Sequence, residues 1–241
     1  MAMRVVLSIG GSVLAPDLDP DRVAAYASVI ETLVDEGCDV GVVAGGGKVA
    51  REYIGAGREL GANEVQLDQL GIGATRLNAR LLIAALGQAA NLSPAEEYDA
   101  AGEALRRGDV AVMGGVAPGQ STDAVAAAFA ESVDADLLVY ATSANGVYDA
   151  DPNRDDSATQ YAELSPEELV EIIVPMSRGA GASAPVDLLA AKLIQRGGIR
   201  TVVLDGTEPD RVGDAVLRGE HTGTDVVPEE SDRPTYWTQV E

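Results

Sequence analysis

The hydrophobic positions of this chain fall into short solid runs separated by longer stretches of helical period. Residues 3–9 (MRVVLSI) form the first run, closed by Gly10-Gly11-Ser12, and this length with a glycine stop predicts a strand buried on both faces. Asp19-Pro20-Asp21 then offers a helix start, and Val23, Tyr26, Ile30 and Leu33 recur at helical spacing. The helix is expected to run to about Glu36 and to stop at Gly37. Asp39–Ala44 reads as a second buried strand ended by Gly45-Gly46-Gly47, and Lys48–Leu60 as the next helix. Residues 63–86 carry a long helical pattern through Leu67, Leu70, Leu77, Leu81 and Leu82. A helix over Ala95–Arg107, a strand over Asp109–Met113 ended by Gly114-Gly115, and an Ala-rich helix over Thr122–Val133 follow. Asp136–Ala141 is a further strand, opening into a polar loop over residues 142–155. Helices over Pro166–Ile173 and Val186–Arg196 and a strand over Arg200–Leu204 complete the pattern.

Alternating buried strands and helices predict an α/β fold of three layers, αβα, with a mostly parallel central sheet covered on both faces. No internal repeat is visible. Residues 1–227 are expected to form one domain with halves meeting near residue 135, and residues 228–241, which lack periodicity, to form a mobile tail.

Composition narrows the setting. No segment approaches the ~18 uninterrupted apolar residues of a membrane span, and the N-terminus lacks the pattern of a signal peptide, so a cytoplasmic protein is expected. A single cysteine, Cys38, excludes an internal disulfide framework and fits a reducing compartment. The 39 acidic residues against 17 basic ones give a net charge of −22. Such a surface repels phosphate backbones and anionic lipids, which argues against nucleic-acid and membrane partners. Only Lys48 and Lys192 are lysines. Acid excess with almost no lysine points to adaptation to high salt, where screening shortens to a few ångströms.

Open α/β sheets bind ligands at the carboxyl ends of their strands. Four predicted strands end in glycine or small polar residues: Gly10-Gly11-Ser12, Gly45-Gly46-Gly47, Gly114-Gly115 and the Thr142–Gly146 stretch. Glycine lets backbone approach a phosphate, and helix N-termini attract anions. Neither G-x-G-x-x-G nor G-x-x-x-x-G-K-[ST] occurs, so a dinucleotide fold and a P-loop are unsupported.

Ile9-Gly10-Gly11-Ser12, Gly45-Gly46-Gly47-x-x-x-Arg51, Ser121-Thr122-Asp123-Ala124 and Thr142-x-x-x-Gly146-Val147-Tyr148-x-x-Asp151-Pro152, in this order over about residues 4–227, resemble the motif set of the amino acid kinase superfamily. Within it, Asp68-x-x-Gly71-x-x-x-Thr75 with Asn78, the Gly115–Thr122 loop and the ending Gly219–Thr224 are most similar to UMP kinases of archaea. The resemblance implies the amino acid kinase fold, phosphoryl transfer from ATP with Mg²⁺ to UMP, and a homohexamer. It implies that Gly10 and Gly11 offer backbone donors to the transferred group, and that Gly45 and Gly46 touch the facing phosphates. Arg51 would clamp a phosphate, a task suited to its planar fork. Asp68 would accept the ribose hydroxyls of UMP, and the loop of Gly115, Val116, Ala117, Pro118, Gly119, Gln120, Ser121 and Thr122 would wrap the nucleotide. Asp123 would organise the catalytic cations, with helix capping as the competing role. Thr142, Tyr148 and Asp151 would hold ATP.

Two positions depart from the family. Ser8 stands where many members carry a lysine, and Lys192, with Lys48 second, is the expected replacement. Ala144-Asn145-Gly146 replaces Val-Asp-Gly, which drops one charge. Two alternatives are carried. One is another kinase of this fold, acting on isopentenyl phosphate, carbamate or an amino-acid carboxylate; isopentenyl phosphate kinases use an active-site histidine, whereas the one histidine here, His221, lies near the C-terminus, and an amino-acid substrate would leave Asp68 and the nucleotide loop unexplained. The other is a non-catalytic nucleotide- or anion-binding protein.

Overall fold

The computed structural model describes residues 2–150, 152, 155, 157–176 and 186–229. A seven-stranded sheet forms its middle layer, in the order β3-β2-β1-β4-β6-β7-β5. The strands are β1 (Met3–Ile9), β2 (Cys38–Ala44), β3 (Ala111–Met113), β4 (Leu137–Thr142), β5 (Glu163–Leu164), β6 (Thr201–Asp205) and β7 (Thr224–Val226). All pairs are parallel except β6 with β7. The helices are α1 (Gly11–Leu14), α2 (Pro20–Asp35), α3 (Gly47–Glu59), α4 (Glu64–Leu86), α5 (Tyr98–Arg106), α6 (Thr122–Ser132), α7 (Pro166–Met176), α8 (Leu188–Gly197) and α9 (Asp210–Arg218).

Strand alternation divides the core into two layers. Val5, Leu7 and Ile9 of β1 face one side, packed with residues of α2, α4 and α9. Val6 faces the other, with α5, α6, α7 and α8. Ser8 shares the Val6 face by its period of two, which aims the hydroxyl of an otherwise apolar strand at α6. Both layers draw residues from either side of position 135, so the expected halves share one continuous sheet. With few aromatics available, small residues set the spacing: a Cβ at Gly41 in β2 would come within 2.5 Å of the Phe129 ring of α6.

The predicted helix over 95–107 begins later, at Tyr98, because Ala95 donates its N–H to Val112 and extends the edge of β3. α4 starts on a capping box, Asn63 with Gln66, and α2 on the Asp19 side chain as expected. α1, α9, β5 and β7 were not legible in the sequence. The last two are two and three residues long, and β7 holds its place through the buried ion pair of Arg200 with Asp225. Among the described residues no helix is long and apolar enough to cross a membrane. Cys38 is buried and free; burial first, then the neighbouring carboxylates, push its thiol up to about 11. The tail expected over 228–241 lies outside the described residues beyond Glu229.

Candidate active site

β2 and β3 lie on one side of β1, while β4 and β6 lie on the other. This reversal of strand order is where open parallel sheets bind ligands. The loops after β1, β2 and β4 there enclose a cavity of about 690 Å³. Of the residues singled out by sequence, its wall carries Gly10, Gly11, Gly45, Gly46, Arg51, Thr122, Asp123, Thr142 and Tyr148. Asp68, Lys192 and the Gly115–Ser121 segment stand outside this wall, and Asp151 lies outside the described residues.

The glycines divide into separate jobs. A Cβ on Gly11 would lie 2.3 Å from the Gly47 nitrogen and 2.5 Å from the Gly45 oxygen, so this glycine is needed for two loops to pass backbone to backbone. Gly47, at φ +60°, needs its left-handed conformation as well. Gly10 is different: a Cβ there meets only the Ala141 oxygen at 3.5 Å. The expectation that Gly10 donates its amide to phosphate is corrected. Its N–H is bonded to the Ala141 oxygen at 3.0 Å, and that of Gly45 to the Ile9 oxygen at 2.8 Å. Both amides prolong the sheet. First-turn amides, which helix geometry leaves without intrahelical acceptors, are the donors that face an anion here: Gly11 and Ser12 on α1, and Gly47 and Lys48 on α3, preceded by Gly46.

Asp123 is the second residue of α6, yet it does not cap the helix. Ser121 does so, accepting the Ala124 N–H at 3.0 Å. The Asp123 carboxylate is thereby released to the cleft, where Ser8 Oγ stands 3.5 Å away. Withdrawal from water first, and the Asp187 carboxylate second, push its pKa up to about 7. Asp187 was missed as a functional residue. It caps α8 by accepting the Ala190 N–H at 2.9 Å and also accepts the Ser121 hydroxyl. An aspartate just before a helix carries a capping signal in sequence, but nothing there places it beside Asp123. Two carboxylates held together at the cost of a raised pKa suit a hard cation, which takes one or two carboxylates plus phosphate oxygens and water.

α4 supports the other side of the cleft. Asn78, buried, donates to the Gly45 oxygen at 2.8 Å and the Gly46 oxygen at 3.3 Å. Thr75 Oγ1 accepts the Gly115 N–H at 2.7 Å, and Arg76 donates to the Gly115 oxygen at 3.2 Å. Asp68 accepts the Gly119 N–H at 2.8 Å, so it grips the Gly115–Thr122 loop. One helix thus fastens the loop after β2 to the loop after β3.

The lysines do not fill the position of Ser8. Lys192 is exposed on α8, its Nζ on Gln195 Oε1 at 3.0 Å, and it stands outside the cavity wall. Lys48 pairs with Asp17 at 2.8 Å. Arg51, which reaches Ser12 Oγ at 3.2 Å, is the cation on the described wall. Asn145 exchanges hydrogen bonds with Thr222, donating at 3.2 Å and accepting at 3.1 Å. An aspartate there could not make the first of them. That pair separates the cleft from a second cavity of about 820 Å³ beside α9, whose Arg211 is already held by Asp205 and Glu208. Tyr148 donates to Gln160 at 3.3 Å.

The sequence profile of the amino acid kinase family matches residues 3–205. The chain is 78% identical to a uridylate kinase of Halorubrum lacusprofundi over 236 residues, 98% of each chain. It is 63% identical to a uridylate kinase of Haloquadratum walsbyi over 240 residues, 99% of this chain and all of that one. Among solved structures it resembles the uridylate kinase of Archaeoglobus fulgidus, with a TM-score of 0.84 and 46% identity, over 93% of this chain and 100% of that one.

Proposed function

This chain belongs to the amino acid kinase family, and we propose that it transfers the γ-phosphoryl group of ATP to UMP, giving ADP and UDP. The observation that carries this reading is the cleft itself: anion-receptive helix amides of α3, Arg51 and the Asp123–Asp187 pair converge at the switch point of the sheet. Uridylate kinases align with this chain over nearly its whole length. A phosphate oxygen of UMP attacks the γ-phosphorus in line, and the bond to the β,γ-bridging oxygen breaks with its electron pair leaving on ADP. No general base is required, since the attacking phosphate is ionised at neutral pH. ATP lies along the loop of Thr142 and Tyr148, with Asp151. UMP lies against Gly45, Asp68 and the Gly115–Thr122 loop. The amides of Gly46, Gly47 and Lys48 and the Arg51 fork orient the phosphates and offset their charge. Asp123 and Asp187 would hold Mg²⁺, which when bound neutralises phosphate charge. Lys192 takes no part in the transfer.

The protein acts in the cytoplasm as a homohexamer, tuned to concentrated salt by its net charge of −22. A coupled ADP-release assay in molar KCl, with ATP-Mg²⁺ and UMP, CMP, dUMP, isopentenyl phosphate or carbamate, tests the reading. Turnover with UMP is expected. Folded protein that turns over none of these acceptors refutes it and leaves a nucleotide- or anion-binding protein.

A further inference from the structure

The ending Gly219–Thr224, one of the motifs in the sequence, has no task in the transfer as described, yet it is bonded to the loop after β4. Thr224 Oγ1 accepts the Val147 N–H at 2.8 Å and donates to the Tyr161 oxygen at 2.5 Å. Residues 147–149 run antiparallel to 159–161. Tyr161 donates its N–H to the Val147 oxygen at 2.9 Å, and Asp149 donates its own to the Thr159 oxygen at 3.1 Å. Three segments distant in sequence therefore meet beside Tyr148: the loop after β4, the chain returning through residues 159–161, and the ending.

Gln160 joins all three. Its Nε2 donates to the Asn145 oxygen at 2.7 Å and to the Thr222 oxygen at 2.6 Å. Its Oε1 accepts from Tyr148 Oη at 3.3 Å and from Asn145 Nδ2 at 3.4 Å. A side-chain amide has two donor hydrogens and two acceptor lone pairs, so this half-buried group is saturated. Asn145 Nδ2 also donates to the Thr222 oxygen at 3.2 Å, and its Oδ1 accepts the Thr222 hydroxyl at 3.1 Å. The network itself assigns the two amides, because nitrogen must be the end that faces carbonyl oxygens. A carboxylate at either position would set oxygen against carbonyl oxygen with no proton between them. Asparagine in place of the family's aspartate thus has a physical reason. Gly146 completes the fit: a Cβ there would lie 2.6 Å from Thr224 Oγ1 and 2.8 Å from Gln160 Nε2.

We propose that Gln160 is a positioning residue for the phosphoryl donor: with Asn145 and Thr222 it latches the loop after β4, so that Thr142 and Tyr148 meet ATP as a preformed surface. Thr142, Asn145, Gly146 and Tyr148 lie on the wall of the cleft, whereas Gln160 and Thr222 stand outside it. The last two therefore act through the loop and not on a reacting group. A loop already held in its binding conformation loses little freedom when the ligand arrives; once released, it must be ordered by ATP, which weakens binding. The acceptor side is held separately, by Asn78, Thr75 and Asp68 of α4, so opening the latch leaves that side in place. This inference rests on the reading of the loop after β4 as the ATP side.

The test uses the full chain in 3 M KCl, by ADP release with ATP and UMP varied in turn, and by calorimetric titration with ATP-Mg²⁺ alone. Gln160→Glu turns the donor end of the amide into an oxygen facing two carbonyls, and Asn145→Asp does the same towards the Thr222 oxygen. Each should raise KM and Kd for ATP about tenfold, as the loss of one or two hydrogen bonds implies. KM for UMP and kcat should stay within about threefold of wild type, a split that general damage to the fold would not give. Thr222 is exposed, so Thr222→Val keeps the fold even where the other variants do not; it removes one bond to Asn145 and should raise both ATP constants about threefold. Far-UV circular dichroism checks each variant. An equal rise in KM for UMP overturns the proposal, as does unchanged ATP affinity in folded Gln160→Glu protein or, where only Thr222→Val folds, in that variant. If no acceptor supports turnover, the reaction fails and the titration still decides the latch. A wild type that binds no ATP overturns the reading of this loop, and the latch with it.

Discussion

Replacing Asp123 with Asn should change how stability depends on pH. The Asp123 carboxyl is pushed up to about 7 by burial and by Asp187, from an ordinary value of 3.8. The folded state therefore holds this proton at pH values where the unfolded chain has lost it. Stability from this group is full at low pH and falls as pH rises from about 4 towards 7, the opposite of a carboxylate stabilised by a cation. At ~1.4 kcal/mol per pKa unit, the loss between pH 5 and pH 8 is about 2–3 kcal/mol. Asn keeps the shape without the charge and should remove that slope, leaving the variant more stable than wild type at pH 8. Thermal or guanidinium unfolding in 3 M KCl with EDTA is the assay, because concentrated salt screens the surface acids that would otherwise blur the comparison. Adding Mg²⁺ at pH 8 should stabilise the wild type and leave the Asn variant little changed. Parallel pH profiles for the two proteins would show that Asp123 carries no such strain, and would remove the physical ground for a cation beside it.

Three further substitutions separate packing from chemistry. Gly11→Ala places a methyl group 2.3 Å from a backbone nitrogen, so it should fail to fold or lose several degrees of Tm, whereas Gly10→Ala, with its nearest contact at 3.5 Å, should keep Tm within a few degrees. Calorimetry on both decides. Asn78→Leu deletes two buried hydrogen bonds to the Gly45 and Gly46 carbonyls and should cost about 1–3 kcal/mol while raising KM for the acceptor more than KM for ATP. Lys192→Ala should leave kcat within about threefold of wild type, since removing a donor to a developing charge costs ~2.7–4 kcal/mol only where that donor reaches it; a hundredfold loss would return Lys192 to the mechanism.

The chain determined its long elements by itself. β1, β2, β4 and β6 are solid apolar runs with a glycine or polar stop, and α2 and α4 have apolar residues at helical spacing, α2 with a recognisable cap, all local properties of neighbouring residues. The cluster of glycine turns at one edge of a parallel sheet was legible for the same reason. Tertiary structure decided the rest. Whether Gly10 and Gly45 donate to a ligand depends on carbonyls of Ala141 and Ile9, which adjacent strands supply. Asp123 belongs to the cleft rather than to its helix start because Ser121 takes the cap, and its altered proton affinity comes first from burial and then from Asp187, 64 positions away in sequence. Leu77 looks like core by periodicity, yet a helix has more than one apolar side. Only the packing of α4 on the sheet shows which side is spent on the fold and which is left outside.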